Sequence, residues 1–336
     1  MRDWVVAADD RTGAFEVAAL FAAVVGPVTV SVGQPVNGPC VVDIGSRDAS
    51  PEAAASRAET IDAQPSVWTA HKMDSTLRGN WAAELLARQA RSGRRIVVIP
   101  GWPELGRTCA DGVVSVHGTP VGSVLQQLPN ATVVRGVAAL REWLGSGSGS
   151  GIAVCDVPDS AEMTSLASVA GRADVLVAGP AGPLGAAFVA RNGAAIASPV
   201  PTVPTVPTVS APVLVVCGSA NPVSREQLAR LAAAQPDIRI LSAPDAEGPL
   251  HVGVAHELVT TARRVADELQ PATIMLVGGD TAAAFLGDGP RRVGGTVAPG
   301  MPWSRGIDDG GPLMITKAGG FGTPDSLVAL LSPGGR

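Results

Sequence analysis

The first residues that could do chemistry are two adjacent carboxylates near the start of the chain. Asp9 and Asp10 follow the apolar run WVVAA, which predicts a strand, and Thr12 and Gly13 open a predicted helix. Either carboxylate could accept a hydroxyl proton or orient the hydroxyls of a polyol. The alternative is that Asp10 only caps the helix. The segment therefore indicates a hydroxyl-bearing substrate or a helix cap, and the sequence leaves both open.

A second polar segment, HKMDSTLRGN, follows another predicted strand and crowds charged, hydroxyl and amide side chains together. Its candidate residues are Lys72, Asp74, Ser75, Thr76, Arg78 and Asn80. Lys72 and Arg78 suit a carboxylate or a phosphate, and Asp74 suits a sugar hydroxyl. The N-terminus of the following helix adds a positive dipole end. We expect this segment to bind a small, anionic, hydroxylated substrate.

The segment 99–120 is rich in glycine and proline and contributes Arg107 and Thr108 as further anion-binding candidates. We predict a long ordered loop here, because the secondary-structure signal is weak and such loops usually carry function. His117 has no evident partner, so we interpret it as a loop or packing residue.

Three glycine turns follow predicted strands in the second half of the chain, at 217–227, 277–285 and 317–322. Glycine lets backbone N–H groups approach a phosphate, and a following helix N-terminus favours the negative charge. The third turn contains Lys317, which with Lys72 makes up the only two lysines among 25 positively charged residues. Together the turns predict a nucleotide phosphate site. The G-x-x-x-x-G-K-[ST] P-loop and the protein-kinase motifs are both absent from the sequence.

The elements that must position these residues alternate along the whole chain. Apolar runs between helical patterns predict parallel sheets covered by helices on both faces, and ligands of such sheets bind beyond the carboxyl ends of the strands. The repeat TVPTVPTVSAP at 202–212 predicts an extended spacer, since proline blocks both helix and central strand. We place the domain boundary there, with domains at 1–205 and 206–336. The predicted fold class is α/β, with two α/β domains, mainly parallel sheets and an active-site cleft between the domains.

Two helix starts carry local capping signals. Ser50 followed by Pro51 predicts an N-cap and a first helical residue. Ser224 followed three residues later by Gln227 has the spacing of a capping box.

Composition excludes several classes of protein. The chain has 336 residues, 46% of them hydrophobic and 16% charged, and a net charge of −5. This balance disfavours a disordered chain and a nucleic-acid-binding surface. No apolar run reaches membrane-span length, the N-terminus lacks a signal-peptide pattern, and the four cysteines are expected to be buried rather than paired or bound to metal. We expect a cytoplasmic protein without a metal site of its own side chains, and the oligomeric state stays open, with a homodimer among the alternatives.

Several motifs occur together and in a fixed order. They are ADDRTGA, KMDSTLRGN, GWPELGRTCADG with VHGTP, GGDTAAA, APGMPW and KAGGFG. In this combination the chain resembles the four-carbon acid sugar kinase family from Ala8 to Gly322. The resemblance implies an acid-sugar domain at 1–205 and a nucleotide domain at 206–336. It also implies phosphorylation, with ATP and Mg²⁺, of the terminal (4-) hydroxyl of threonate, erythronate or 3-oxo-tetronate.

The resemblance also implies two sets of site residues. The substrate site would contain Asp10, Lys72, Asp74, Ser75, Arg78, Asn80 and Arg107, to which we add the neighbouring Asp9, Thr76 and Thr108. The ATP site would contain Ser219, Gly278, Gly279, Asp280, Thr281, Gly300, Lys317, Gly319, Gly320 and Gly322. Lys72 and Arg78 would hold the carboxylate. Asp10 or Asp74 would take the hydroxyl proton, and the choice between them stays open.

Two alternatives to a kinase remain at this point. Asn221 and Ala318 stand where the family usually has serine, which leaves open a non-catalytic sugar-acid sensor. A different α/β enzyme acting on phosphorylated sugar acids is the other alternative.

Overall fold

The computed structural model describes residues 2–147, 151–193, 207–244, 252–308 and 310–331. The chain divides into two compact units, Met1–Pro201 and Thr202–Arg336. Each unit is an α/β layer structure, so the predicted fold class is confirmed. The predicted boundary between 205 and 206, with residues 202–206 of the proline-rich spacer, lies outside the described residues. The boundary and the predicted cleft between domains therefore stay predictions.

The first unit is built on a parallel sheet with helices on both faces. Its strands are β1 Arg2–Ala8, β2 Val28–Val32, β3 Cys40–Asp43, β4 Ser66–Lys72, β5 Arg95–Val98, β6 Arg107–Ala110, β7 Val113–Val116, β8 Thr119–Ser123, β9 Thr132–Val134, β10 Ile152–Cys155 and β11 Val175–Gly179. Its helices are α1 Arg11–Val25, α2 Pro51–Glu59, α3 Trp81–Ser92, α4 Val124–Gln127, α5 Gly136–Gly145, α6 Ser160–Arg172 and α7 Ala181–Asn192. Short 3₁₀ turns lie at Thr60–Ala63 and Pro103–Leu105.

Strand order in this unit creates a ligand-binding position at its centre. The parallel order is β2-β3-β1-β4-β11-β5-β10-β9, with β1 paired to β3 on one side and to β4 on the other. The chain therefore runs outward from β1 in one direction and then returns to continue in the other. A crevice opens beyond the carboxyl ends of strands at such a reversal of order. The polar segments after β1, β3 and β4 all lie there.

An aromatic cluster packs α1 and α7 against this sheet. Phe21 of α1 stacks on Phe188 of α7 with ring centroids 3.8 Å apart. Trp4 of β1 meets both rings edge-on, at 5.4 and 5.3 Å. The next residue, Val5, faces the opposite side of the sheet and packs with Ala58 of α2, as alternation along a strand requires. Apolar residues on both faces of β1 explain why its sequence is almost continuously apolar.

The loop predicted for 99–120 is wrong in its main feature. Strands β6, β7 and β8 form a separate three-stranded antiparallel sheet. Two tight turns join them: Asp111 and Gly112 have φ of 51° and 73°, and His117 and Gly118 have φ of 48° and 81°. Positive φ at both central residues is the geometry of two-residue hairpins, for which Asp-Gly is a strong signal. Two of the glycines that suggested a loop, Gly112 and Gly118, therefore form the turns of a small sheet with short strands.

The second unit is also an α/β layer. Its strands are β12 Val213–Cys217, β13 Arg239–Ser242, β14 Thr273–Val277, β15 Arg291–Ala298, β16 Met301–Gly306 and β17 Leu313–Lys317, and its helices are α8 Pro222–Ala234, α9 Val252–Leu269, α10 Gly279–Leu286 and α11 Ser326–Leu331. The order is β13-β12-β14-β17-β16-β15, parallel through β17 and antiparallel at β16 and β15. Helices α8 and α11 cover one face, and α9 and α10 cover the other. The carboxyl ends of β12, β14 and β17 therefore point to one edge.

One capping prediction is confirmed and one is wrong. Ser50 caps α2 by accepting a hydrogen bond from the backbone N–H of Ala53, with Pro51 in the first turn. The cap of α8, however, is Asn221, which accepts from Val223, and not Ser224. The reason is that α8 begins earlier than its apolar pattern suggests, at Pro222.

The four cysteines are buried free thiols, as the sequence predicts. Within the ranges that the structure describes, no helix combines the length and the apolar character needed to cross a bilayer.

Candidate functional site

Two adjacent carboxylates and one arginine form the centre of the candidate substrate site. Asp9 and Asp10 follow β1, and Arg47 follows β3. The Arg47 Nε lies 2.8 Å from Asp9 Oδ2, and its Nη1 lies 2.7 Å from Asp10 Oδ2. The Asp9 side chain is fully buried, whereas the Asp10 side chain is 22% exposed. The two aspartates therefore have different environments, and of the two only Asp10 presents its side chain to solvent.

Asp10 combines both roles that the sequence left open. Its Oδ1 accepts a hydrogen bond of 2.8 Å from the backbone N–H of Gly13 and so caps α1. Its other oxygen pairs with Arg47 and is the partly exposed side of the cluster.

The buried Asp9 has a perturbed protonation equilibrium. Burial is the largest effect and raises the pKa; the charges of Lys72 and Arg47 lower it, and the neighbouring Asp10 raises it. The balance raises the pKa of Asp9 to about 7. One of its oxygens, Oδ1, is buried without a hydrogen-bond partner among the described residues. Asp9 therefore exchanges a proton near neutrality.

The carboxyl group of Asp74, which follows β4, has a pKa shifted in the opposite direction. Its Oδ1 accepts hydrogen bonds from the backbone N–H and the hydroxyl of Thr76, at 2.9 and 2.5 Å, and its Oδ2 lies 2.7 Å from Arg78 Nη2. Burial would raise its pKa, but the bonds from Arg78 and Thr76 and the charge of Arg47 hold the pKa well below its usual range. Asp74 is therefore a permanent carboxylate whose lone pairs are already engaged.

Arg47 links all three carboxylates. Its Nη2 also lies 3.6 Å from Asp74 Oδ2. Burial alone would lower the pKa of Arg47, but Asp9, Asp10 and Asp74 together raise it further above its normal value. The sequence analysis missed this residue. The available signal was its position shortly after the apolar run CVVDI at 40–44, since the other candidates also follow apolar runs.

Lys72 is buried at the end of β4, close to the first turn of α1. Its Nζ donates to the Met73 carbonyl at 3.0 Å. A Cβ on Gly13 would stand only 2.9 Å from this Nζ. It would also stand 2.7 Å from Asp10 Oδ1, so Gly13 leaves room for both charged groups at the helix start.

Glu16 is a second residue that sequence analysis missed. It lies three residues after Gly13, on the same face of α1. Burial raises the pKa of its carboxyl group, and of the charges that oppose this shift the charge of Lys72 has the largest effect. The available signal was an acidic residue in the first turns of the helix that Thr12 and Gly13 were predicted to open.

The remaining substrate-site candidates divide into two groups. Ser75 is half-buried in the same turn as Asp74, and the Asn80 amide donates to the carbonyls of Ser46 and Ala49 at 2.9 and 2.8 Å. Asn80 thus holds the turn after β3, which carries Arg47. Arg107 and Thr108 lie on β6 in the small antiparallel sheet, and the Arg107 Nε is buried without a partner among the described residues.

In the second unit, the three glycine turns meet at the ends of β12, β14 and β17. The Gly278 N–H donates to the Lys317 carbonyl at 2.9 Å, which joins the second turn to the third. A Cβ on Gly278 would lie 3.4 Å from both the Ser219 nitrogen and the Thr281 hydroxyl. A Cβ on Gly319 would collide with the Ser219 hydroxyl. The close approach of the turns therefore needs glycine at 319, and Gly278 is needed for its φ of 110°.

Lys317 lies buried where these turns meet. It is 1% exposed, and its Nζ donates to the carbonyls of Ala318 and Gly319, both at 3.1 Å. Burial lowers its pKa to about 8, only partly opposed by Cys217, and no described carboxylate contributes to that balance. Two backbone carbonyls thus hold the Lys317 amine, and no salt bridge to it occurs within the described part of the chain.

The other predicted nucleotide residues lie in or beside the same turns. Gly279 and the exposed Asp280 begin α10. Gly300 lies in the β15–β16 turn with φ of 70° and packs on the Phe321 ring. Gly320 lies near the Asn221 amide, and Gly322 has φ of 87°. No group of three or more His, Cys, Asp or Glu residues in the described ranges is arranged to hold a metal ion.

Comparison with known families matches each unit separately. Residues 4–127 match the family model of a sugar-binding N-terminal domain, and residues 239–327 match that of a nucleotide-binding C-terminal domain. A crystal structure of a Haemophilus influenzae protein of the DUF1537 family has a TM-score of 0.71 at 19% identity, covering 96% of this chain and 97% of that one. This likeness shows the fold.

Curated relatives extend the comparison to sequence. A D-threonate kinase of Cupriavidus necator is 30% identical over 271 residues, which is 68% of this chain and 63% of that protein. The alignment thus spans less than two thirds of that relative. A D-threonate kinase of Bordetella bronchiseptica is 27% identical over 317 residues, covering 76% of this chain and 75% of that protein. With both domain models matched in order, the chain belongs to the four-carbon acid sugar kinase family.

Proposed function

We propose that the protein is an ATP-dependent kinase that phosphorylates the terminal (4-) hydroxyl of a four-carbon sugar acid. D-Threonate is the first candidate because the relatives named above carry that name, and erythronate and 3-oxo-tetronate are the other candidates. The observation that carries the proposal is the buried Lys317 amine, enclosed by three glycine turns and unmatched by a described carboxylate. A buried cation without a carboxylate partner favours an anionic ligand. Glycine turns at strand ends, followed by a helix N-terminus, are typical binding sites for phosphates.

On the sugar-acid side, we assign binding of the substrate carboxylate to the positive side chains at and after the end of β4. Lys72 and Arg78 would attract the carboxylate, with Arg78 68% exposed and so accessible. Ser75, Thr76, Asn80, Arg107 and Thr108 would border the substrate, with Asp9 buried behind them.

Asp10 is our choice for the group that meets the reacting hydroxyl. Its side chain is 22% exposed, whereas that of Asp74 is 8% exposed and saturated by Arg78 and Thr76. A base must reach its proton before its pKa matters. Phosphoryl transfer needs positioning and charge neutralisation more than a strong base. Asp10 would orient the hydroxyl and take its proton, and Asp74 would hold Arg78 and Arg47 in place.

On the nucleotide side, Lys317 and the backbone of the glycine turns would hold the phosphates. These turns would comprise Ser219, Gly278, Gly279, Asp280, Thr281, Gly300, Gly319, Gly320 and Gly322. Mg²⁺ is usually bound by one or two carboxylates together with substrate phosphates. The exposed Asp280 in the first turn of α10 fits such a contribution. When bound, the ion would neutralise phosphate charge. A cytoplasmic location and a homodimer stay predictions.

A coupled assay for ADP tests the proposal. The protein is mixed with ATP, Mg²⁺ and, in turn, D-threonate, L-threonate, D-erythronate and 3-oxo-tetronate. We expect ADP formation that depends on one of these acids and is abolished by Lys72→Met. Arg135→Met is the matched control, since this arginine is exposed and pairs with Asp111, which is not a candidate site residue.

Two results would contradict the proposal. Thermal stabilisation by an acid without ADP formation, across the whole panel, would favour the sugar-acid sensor. Binding of a 4-phosphate together with no effect of ATP would favour an enzyme acting on phosphorylated acids.

A further inference from the structure

Helix α8 buries two polar side chains where a core-facing helix normally carries apolar ones. Ser224 and Gln227 are both 0% exposed, and the adjacent Leu228 packs in the apolar cluster between α8, α11 and the sheet. Burying an amide or a hydroxyl costs free energy unless hydrogen bonds replace those lost to water. Since neither residue caps the helix, their burial needs another explanation.

Both side chains donate to the turn that follows β17. The Ser224 hydroxyl donates to the Gly319 carbonyl at 2.5 Å. The Gln227 amide nitrogen donates to the carbonyls of Phe321 and Thr323, at 3.0 and 2.8 Å. An amide nitrogen has two hydrogens, so Gln227 spends its full donor capacity on this one turn.

The turn is also built to receive the glutamine. Gly322 has φ of 87°, a conformation that L side chains rarely adopt, and a Cβ there would lie 3.1 Å from the Gln227 amide nitrogen. The same Cβ would lie 2.7 Å from the Ser326 hydroxyl of α11, so Gly322 serves close packing against both α8 and α11. These contacts give Gly322, which lies in the proposed phosphate-binding turn, a structural role in shaping that turn.

The electrostatic consequence concerns the carbonyl oxygens of the turn. Carbonyl oxygens carry partial negative charge and repel a phosphate. Ser224 and Gln227 hold those of Gly319, Phe321 and Thr323, while Lys317 holds those of Ala318 and Gly319. Donors from α8 and from the lysine thus fix the orientation of successive peptide groups around the buried cation.

We propose that Gln227, assisted by Ser224, is a positioning residue of the nucleotide site. It orients the 317–323 turn so that its carbonyls stay bound within the protein and do not face the phosphates. This inference rests on the proposed function, because it concerns the same nucleotide. Gln227 acts through the turn and does not itself contact the nucleotide.

The test compares Gln227→Met with Leu228→Ala in the full-length protein. Methionine keeps the volume of glutamine and removes both donors, whereas Leu228→Ala removes core packing from the next residue and leaves the turn bonded. The dissociation constant of a fluorescent ADP analogue is measured, together with unfolding in denaturant. We expect Gln227→Met to weaken ADP binding about ten- to hundredfold, as loss of two hydrogen bonds to buried carbonyls implies. Leu228→Ala should lose stability and keep the wild-type dissociation constant.

Gln227→Glu is the second variant, in case methionine prevents folding. Glutamate keeps the shape of glutamine but places a carboxylate beside the carbonyls that the amide nitrogen had bound. This variant should therefore weaken ADP binding as well. Wild-type ADP affinity in a folded Gln227 variant, or equal weakening in Leu228→Ala, would overturn the inference. If the wild-type protein binds ADP but phosphorylates no acid of the panel, the proposed function fails while this comparison still decides the role of Gln227.

Discussion

Replacing the buried Asp9 by asparagine should change how stability depends on pH. Asp9 is 1% exposed, and burial raises its pKa from 3.8 to about 7. In the unfolded chain the carboxyl group loses its proton near its ordinary value, whereas in the folded protein it keeps the proton up to about pH 7. Asparagine at this position does not titrate, so it removes this difference.

The sign and size of the effect follow from proton linkage. Because the folded state binds more protons than the unfolded state between the two pKa values, Asp9 makes wild-type stability fall as pH rises through that window, and the effect levels off above the folded pKa. Within this window, each increase of one pH unit lowers the Asp9 contribution to the free energy of unfolding by about 1.4 kcal/mol. Between about pH 5.5 and about pH 7.5, the wild type should therefore lose roughly 2 kcal/mol relative to Asp9→Asn.

The assay is urea unfolding of both proteins at the two pH values. Other titrating groups are common to both proteins and cancel in the difference. Asp74→Asn is the control, since Arg78 and Thr76 hold the pKa of Asp74 well below its usual range, so this carboxyl is ionised in both states throughout the window. A difference between wild type and Asp9→Asn that is the same at both pH values would refute the assignment of a raised pKa to Asp9. A difference that grows in favour of the wild type as pH rises would contradict it more strongly.

Four further predictions concern Gly13, Lys317 and Phe188. Gly13→Ala should reduce turnover and leave the fold intact, because its Cβ would stand 2.9 Å from the Lys72 Nζ; Gly145→Ala, which meets nothing within 4 Å, is the control, and equal activity of the two variants would contradict this reasoning. Lys317→Met should raise the KM for ATP more than the KM for the acid. In the wild type, ADP binding should weaken as pH rises above about 8, where the buried amine loses its charge, and a flat profile there would count against Lys317 as a phosphate ligand. Phe188→Ala should cost about 3–5 kcal/mol of stability by removing a fully buried ring, with urea unfolding as the measurement and a loss below about 1 kcal/mol as the contrary result.

Regular elements of the fold were predictable where local patterns and tertiary structure agree. Examples are the helix cap at Ser50 with Pro51 and the apolar strands Val28–Val32 and Leu313–Lys317. At these positions the tertiary structure keeps the conformation that the local sequence favours. The small antiparallel sheet was missed since its strands are too short for a periodic pattern, although the Asp111-Gly112 hairpin signal was present. The capping box predicted at Ser224 and Gln227 is wrong because their side chains have another role. Their spacing fits a local cap, but they donate hydrogen bonds to a turn about 95 residues away.

The candidate site was predictable in its components and not in its connections. Each polar segment follows its strand, so Asp10, Lys72 and Asp74 could be named from the sequence. Arg47 follows an apolar run as well, but its role could not be predicted, because that role arises from the pairing of β3 beside β1 and from three carboxylates that converge on it. The same holds for the opposite pKa shifts of Asp9 and Asp74, which depend on burial and on partners that only the folded chain brings together.

The central claim is that this chain transfers a phosphoryl group from ATP to a small sugar acid. The most direct test follows the phosphorus nuclei by ³¹P NMR as the protein acts on ATP, Mg²⁺ and D-threonate. We predict that the γ-phosphate signal disappears while ADP and a single new phosphomonoester signal, from the 4-phosphate, appear in equal amounts. Release of inorganic phosphate alone, or an unchanged ATP spectrum with every acid of the panel, would contradict the account.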